Sequence, residues 1–267
     1  MTAMRINGIA LHVEQAGAGP PLVIVHGGWG DHTTWAPTTR LLAEHFRVVA
    51  YDRRGHSRSE RPARGWTRRD NEDDLIALIE ALDLAAAHVV GNSYGGLVAL
   101  SVAARRPDLV RGVSVHEPPA IQVAPAAAVA AEQAAIAAAA RQVAAGDAEG
   151  GTRRFMEDVA FGPGAWGMLP AALRALLVGN APAFVTEGAD PHWPALDLDG
   201  VRAYPGPVQL TKGDAAPPWF SVVVDRLAGL IPEATVDVVP GAGHAPHSTH
   251  PEAYAEVVSN SALLVRR

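Results

Sequence analysis

His88-Val89-Val90-Gly91-Asn92-Ser93-Tyr94-Gly95-Gly96-Leu97 is the stretch that decides the fold. The apolar run His88–Gly91 reads as a strand, and Leu97 to Arg106 reads as a helix closed by Pro107. Between them lies Gly91-Asn92-Ser93-Tyr94-Gly95, a G-x-S-x-G. Set between a strand and a helix, this pentapeptide predicts a tight turn that lifts the serine Oγ above a sheet edge. Small residues flank the serine because strand and helix approach too closely for side chains. A glycine-rich turn with an incidental serine is the bland alternative. Features elsewhere in the chain outweigh it.

Other short apolar runs extend outward from this stretch. Leu22–His26 ends at Gly27-Gly28, Arg47–Asp52 follows Phe46, and Val110–His116 precedes Glu117-Pro118-Pro119. Ala3–Ile6 and Ile9–Gln15 flank Asn7-Gly8, a strong hairpin signal. Thr67 to Leu82 carries Leu75, Ile76, Leu78, Ile79 and Leu82 at helical spacing, with acids in its early turns where they favour a helix N-terminus. After Pro118-Pro119 the pattern breaks, and no convincing strand is found up to about residue 200. Ala124 to Ala145 holds 14 alanines in 22 residues and reads as a small-residue helix. The pattern resumes with strands at Val208–Lys212 and Thr235–Val239, a helix from Trp219 to Leu230, and a closing helix at Ala253–Leu264. Alternation of strand and helix implies a parallel sheet covered on both faces. One α/β domain, residues 1–119 and 201–267, with a helical insertion over 120–200, is the expected organisation.

Composition narrows the chemistry. Hydrophobic residues make up 48% of the 267 and charged residues 19%, as in a globular protein. The formal charge of −6 and the lack of a basic run argue against a nucleic-acid partner. Zero cysteines exclude a thiol nucleophile, a disulfide framework and a cysteine-based metal centre. Residues 1–8 lack the apolar core of a signal peptide, and no apolar run approaches the ~18–20 residues of a membrane span. No membrane partner is expected and the expected compartment is the cytoplasm. Oligomeric state is not legible.

Two further clusters belong with Ser93. His26-Gly27-Gly28-Trp29 follows a strand, and a backbone N–H of Gly28, or of Trp29, joined by that of Tyr94 would form an oxyanion hole. His26 reads as a brace for this loop. Gly243-His244 follows the last strand, where a general base must stand to reach a serine at the same sheet edge. His244, His247 and His250 have a metal-like spacing, but Pro246 and Pro251 oppose a helix that would align them, so no metal is expected there.

At these residues the chain resembles the α/β-hydrolase superfamily over essentially its whole length. The carrying residues are the strand and His26-Gly27-Gly28 turn, Asp52-Arg53-Arg54-Gly55-His56-Ser57, the Ser93 turn, and Gly243-His244. The resemblance implies an α/β-hydrolase fold: a mostly parallel eight-stranded sheet, helices on both faces, and residues 120–200 as a helical cap over the pocket. It implies that Asp52 and Arg53 mainly organise their loop. The sequence departs from the commonest pattern at the acid. Many relatives carry G-x-x-D after the next-to-last strand, but here Gly213-Asp214-Ala215-Ala216 places alanine at the usual position. Haloalkane dehalogenases and zearalenone-type lactone hydrolases place the acid after the preceding strand, and Glu117, 24 residues beyond Ser93, resembles theirs. Glu117 is the expected acid and Asp214 its rival.

A serine nucleophile implies an acyl-enzyme, hence hydrolysis of an ester or lactone without a cofactor. No phosphate-binding or dinucleotide motif is present. A C–C bond hydrolase and a cofactor-free perhydrolase are alternatives within the class, although Ala216 counts against both. A ligand-binding protein on the same fold is the alternative of another class. In the cap, Phe155, Met156, Phe161, Trp166, Met168, Phe184 and Trp193 suggest an apolar roof. Trp29, Tyr94, Phe155, Phe161, Trp166 and Trp193 are the expected substrate contacts, and the expected substrate is a small apolar or aromatic molecule.

Overall fold

A computed structural model of the chain describes residues 2–264. Eight strands form one sheet: β1 Thr2–Ile6, β2 Ile9–Ala16, β3 Pro21–Val25, β4 Arg47–Tyr51, β5 Ala87–Asn92, β6 Val110–His116, β7 Val208–Gly213 and β8 Thr235–Val239. Their order across the sheet is β1-β2-β4-β3-β5-β6-β7-β8, and every pair from β4 to β8 is parallel. The Asn7-Gly8 hairpin supplies the antiparallel edge, with Ile6 facing Ile9 and Val13 facing Tyr51 on β4. Chain order reverses at β3, which pairs with β4 on one side and β5 on the other. Open α/β sheets bind ligands at the carboxyl ends of strands beside such a reversal.

Helices cover both faces. On one side α1 Ala36–Leu42 and α10 Pro251–Leu264 pack through Leu42, Tyr254 and Val258 onto Leu22, Ile24 and Val48. On the other, α2 Arg68–Ala81, α3 Tyr94–Arg105 and α9 Pro218–Ala228 contribute Leu75, Leu78, Leu97, Val98, Val223 and Val224. Each such fully buried aliphatic side chain contributes about 1.5–3 kcal/mol. The strands β3, β5 and β6 are buried along almost their whole length, which explains why their sequences are continuous apolar runs and not alternating ones.

Between β6 and β7 the chain leaves the sheet. This excursion holds α4 Ala126–Ala144, α5 Ala148–Phe155, a π-helical turn Met156–Ala160, α6 Ala165–Met168, α7 Ala171–Gly188 and α8 Leu198–Ala203. α4 buries only Val129, Ala139 and Val143, as an alanine-rich helix must. α8 straddles the expected boundary at residue 200 and packs on α3, with Val201 inside the main core. The excursion is fastened by polar contacts: Asn180 Nδ2 donates to the carbonyls of Trp29 and Gly30, and the Ser57 N–H donates to Asn180 Oδ1.

One element begins earlier than its sequence suggests. α3 starts at Tyr94, not Leu97, so Gly95-Gly96 form its first turn. Glycine reads as a turn former, but here closeness demands it. A Cβ on Gly95 would lie 2.2 Å from the Val25 carbonyl oxygen, and one on Gly91 would lie 2.5 Å from that of Gly95. Among the described residues no helix is long and apolar enough to cross a membrane.

Candidate active site

The carboxyl ends of β3, β5 and β6 and the loop after β8 meet over the chain reversal. Ser93 sits between β5 and α3 with φ 53° and ψ −124°, a conformation a non-glycine residue holds only under local constraint. Its carbonyl accepts from the N–H groups of Gly96 and Leu97, and its own N–H donates to the His116 carbonyl. The turn is thereby fixed from both sides. The N–H of Tyr94 begins the helix and has no acceptor within it, so it points out of the helix N-terminus.

Glu117 follows β6 directly and takes a positive φ of 45° as the chain turns toward Pro118-Pro119. It is fully buried. Its Oε1 accepts the Gly213 N–H at 2.9 Å, and its Oε2 lies 2.7 Å from His244 Nδ1 and 3.5 Å from His116 Nε2. Burial disfavours its charge, but the contacts with His116 and His244 hold its carboxyl down at about 2. A carboxylate at that pKa can only accept, so His244 Nδ1 carries the proton and Nε2 keeps a lone pair. Burial lowers the His244 imidazole below its ordinary value, partly opposed by Glu117. The Phe220 ring stacks on His244 at 4.0 Å, and Asn92 Nδ2 donates to the His244 carbonyl. Asp214 is turned elsewhere: its Oδ1 accepts the Gly241 N–H at 2.6 Å.

Ser93 and His244 line one cavity. Gly28, Trp29 and Tyr94 line it from the core, and Phe155, Phe184 and Trp193 from the excursion. Trp29 stacks on Phe184 with ring centroids 4.3 Å apart, and Tyr94 faces Trp193 at 6.5 Å. The walls are mostly apolar side chains, with Glu187 and His244 the ionisable exceptions.

Four residues expected in the roof, Met156, Phe161, Trp166 and Met168, do not line the cavity. Trp166 lies in the excursion's own core with Met156, Leu177 and Ala181, and its edge borders a surface hollow beside Arg153 and Asp158. Met168, on the same one-turn helix, is 84% exposed. Phe161 approaches His244 at 6.3 Å between ring centroids but does not line the cavity. A one-turn helix after left-handed Gly164 has no period from which its inward face could be read. The histidines after His244 diverge: His247 stacks on Trp35 at 4.2 Å, and His250 Nδ1 contacts Thr249 Oγ1.

His26 braces its loop as expected. Its Nε2 accepts the Arg53 N–H at 2.9 Å and its Nδ1 lies 2.8 Å from the Gly27 carbonyl. Sequence reading missed the partner of the Arg53 side chain. That guanidinium is fully buried, lies 4.6 Å from the centroid of the Tyr94 ring, and is paired with Glu187 of α7. Asn71 joins the pair, its Oδ1 accepting from Arg53 and its Nδ2 donating to Glu187. No local motif links positions 134 residues apart. Glu187→Ala should leave Arg53 as an uncompensated buried cation and cost about 3–5 kcal/mol. Urea denaturation checks this; a loss below about 1 kcal/mol would mean that water already screens the pair.

Comparison with known proteins identifies the family and the fold. A sequence model of the alpha/beta hydrolase family matches residues 22–257. The chain is 28% identical over 268 residues to 2-(acetamidomethylene)succinate hydrolase of Mesorhizobium japonicum, covering 96% of this chain and 92% of that one. It is 40% identical over 108 residues to 2-hydroxymuconate semialdehyde hydrolase of a Pseudomonas species, covering 39% of this chain and 38% of that one. A thermophilic esterase from Thermogutta terrifontis superposes with a TM-score of 0.81 at 22% identity, over 100% of this chain and 99% of that one, a likeness of fold.

Proposed function

The chain belongs to the alpha/beta hydrolase family, and we propose that it is a serine hydrolase cleaving a carboxylic ester or lactone of a small apolar or aromatic molecule. The observation that carries this reading is the buried Glu117–His244 contact at 2.7 Å on a cavity that Ser93 also lines. In the proposed reaction His244 Nε2 takes the proton of Ser93 Oγ as that oxygen attacks the carbonyl carbon. Glu117 accepts the Nδ1–H, fixes the tautomer and stabilises the imidazolium. The N–H groups of Gly28 and Tyr94 receive the charge that develops on the carbonyl oxygen. His244 then passes the proton to the leaving oxygen, which departs and leaves an ester on Ser93. Water, deprotonated by the same imidazole, releases the acid and restores the serine. Residues 1–119 and 201–267 would carry this chemistry, with 120–200 acting as the cap that sets substrate choice. The apolar walls favour a neutral, hydrophobic acyl or alcohol group.

The lowered His244 pKa has a kinetic consequence. The base must be neutral to act, so a depressed pKa keeps it active to lower pH. The acidic limb of kcat/KM should therefore inflect below the ordinary imidazole value of ~6.5. An inflection above that value would contradict the assignment of a buried His244 as base.

Product analysis on a panel of aryl esters, lactones and dienoic diketones tests the reaction class. Turnover of esters or lactones with release of a free acid supports the proposal. Cleavage confined to the diketones would replace it with C–C hydrolysis, and absence of both turnover and fluorophosphonate labelling would favour a ligand-binding protein.

A further inference from the structure

A second cluster of ionisable side chains stands outside the cavity. His12 and Glu14 are two residues apart on β2 and so share one face of the sheet. His32 begins a 3-10 turn four residues beyond Gly28, capped by Asp31. Glu14 Oε1 lies 3.3 Å from His12 Nε2 and 3.2 Å from His32 Nε2. On its other side His32 Nδ1 contacts Asp52 Oδ1 at 2.5 Å, and the same Asp52 oxygen accepts the His32 backbone N–H at 3.0 Å. Asp52 thus fixes the ring so that Nε2 faces Glu14.

We propose that His12 Nε2, His32 Nε2 and Glu14 Oε1 form a divalent transition-metal site, best matched to Zn²⁺, that staples β2 to the loop carrying Gly28. Three arguments support it. With bonds of about 2.0–2.1 Å, neighbouring ligands of a tetrahedral zinc stand about 3.3 Å apart, which is the spacing found on both sides of Glu14. The ligand atoms of all three residues lie within 4.8 Å of one another. A metal-binding histidine typically gives its other ring N–H to a carboxylate, and Asp52 already fills that place for His32. Two imidazoles and a carboxylate without thiolate suit zinc, cobalt or nickel better than calcium or magnesium. The site opens to solvent, since the Glu14 side chain is 36% exposed and that of His12 12%. Water would complete the coordination. Arg58 Nη1 stands 3.5 Å from His12 Nε2 and 3.8 Å from Glu14 Oε1, on a side chain 55% exposed, so the guanidinium holds the place a cation would take.

Zinc titration of tag-free, EDTA-stripped protein tests this by calorimetry and by thermal unfolding. One equivalent of Zn²⁺ should bind, raising Tm by about 5–10 °C at a free concentration roughly 100 times Kd. Glu14→Gln and His12→Ala, both at partly exposed positions, should each weaken binding by at least about 100-fold and remove the Tm shift. Asp52→Asn should weaken it by about 10–100-fold. Arg58→Ala should tighten it. Co²⁺ in the same site should give the visible absorption of a four-coordinate ion. The proposal is overturned if no stoichiometric zinc binds, or if Glu14→Gln leaves the affinity unchanged. Loss of affinity in Glu117→Gln instead would also overturn it, by assigning the zinc to His116, Glu117 and His244.

Discussion

Ser93→Ala is expected to lower kcat for ester hydrolysis by about 10⁶-fold and to abolish fluorophosphonate labelling, with the fold intact. The side chain is small and makes no hydrogen bond that holds the turn; the backbone contacts of Gly96, Leu97 and His116 hold it instead. Alanine keeps the positive φ and its strain. Ser93→Gly should relieve that strain, because glycine adopts φ 53° freely. The glycine variant should be equally inactive yet more stable than wild type by about 1 kcal/mol. Denaturant midpoints of the two inactive variants measure the difference. A glycine variant no more stable than the alanine one would mean the turn stores no strain at Ser93.

Glu117→Gln should cost about 10⁴-fold in kcat, whereas Asp214→Asn should change it by less than about tenfold. An amide at 117 can still accept the Gly213 N–H through its oxygen. Its NH₂ then faces His244 Nδ1, which must become an acceptor, and the proton moves to Nε2 where the base needs a lone pair. Asp214 makes no such contact, since its carboxylate accepts from Gly241. Steady-state kinetics on both variants, with circular dichroism as a check of folding, decides between them. Equal losses in the two would remove Glu117 from the mechanism.

The parts of the molecule that were legible in sequence are those whose physics is local. A buried parallel strand must be an apolar run, so β3, β5 and β6 were readable to within a residue or two of their ends. A turn that brings Gly95 onto the Val25 carbonyl must lack side chains, so G-x-S-x-G marked the strand-to-helix junction. The contact of Glu117 with His244 was readable because a carboxylate at the end of an apolar strand, followed by two prolines, has few places to go. Its neighbour His116 went unread, although its contacts with Glu117, Thr211 and the Gly243 carbonyl brace the same corner. An imidazole at a strand end carries no signal until its partners from β7 and the last loop are known.

The excursion between β6 and β7 was less legible. Alanine fits any face of a helix, so α4 gives no period by which its buried side could be told. Trp166 and Phe161 were expected at the substrate on aromatic character alone. Phe155, Phe184 and Trp193 line the cavity instead, and the difference lies in how the excursion packs through space, which sequence spacing did not encode. The Arg53–Glu187 pair shows the same limit, because it joins a core loop to α7 through space. The cluster of His12, Glu14 and His32 likewise needs β2 and the Gly28 loop side by side before its spacing means anything.

The serine mechanism is tested most directly by rapid-quench mass spectrometry of the enzyme turning over an activated acetate ester. A covalent acyl intermediate predicts an acetyl adduct that forms before steady state, maps to Ser93, and disappears as substrate is exhausted. Accumulation should increase in Glu117→Gln if its deacylation slows more than its acylation. Hydrolysis without any adduct in wild type and variant, or an adduct on a residue other than Ser93, would contradict the assignment of Ser93 as nucleophile.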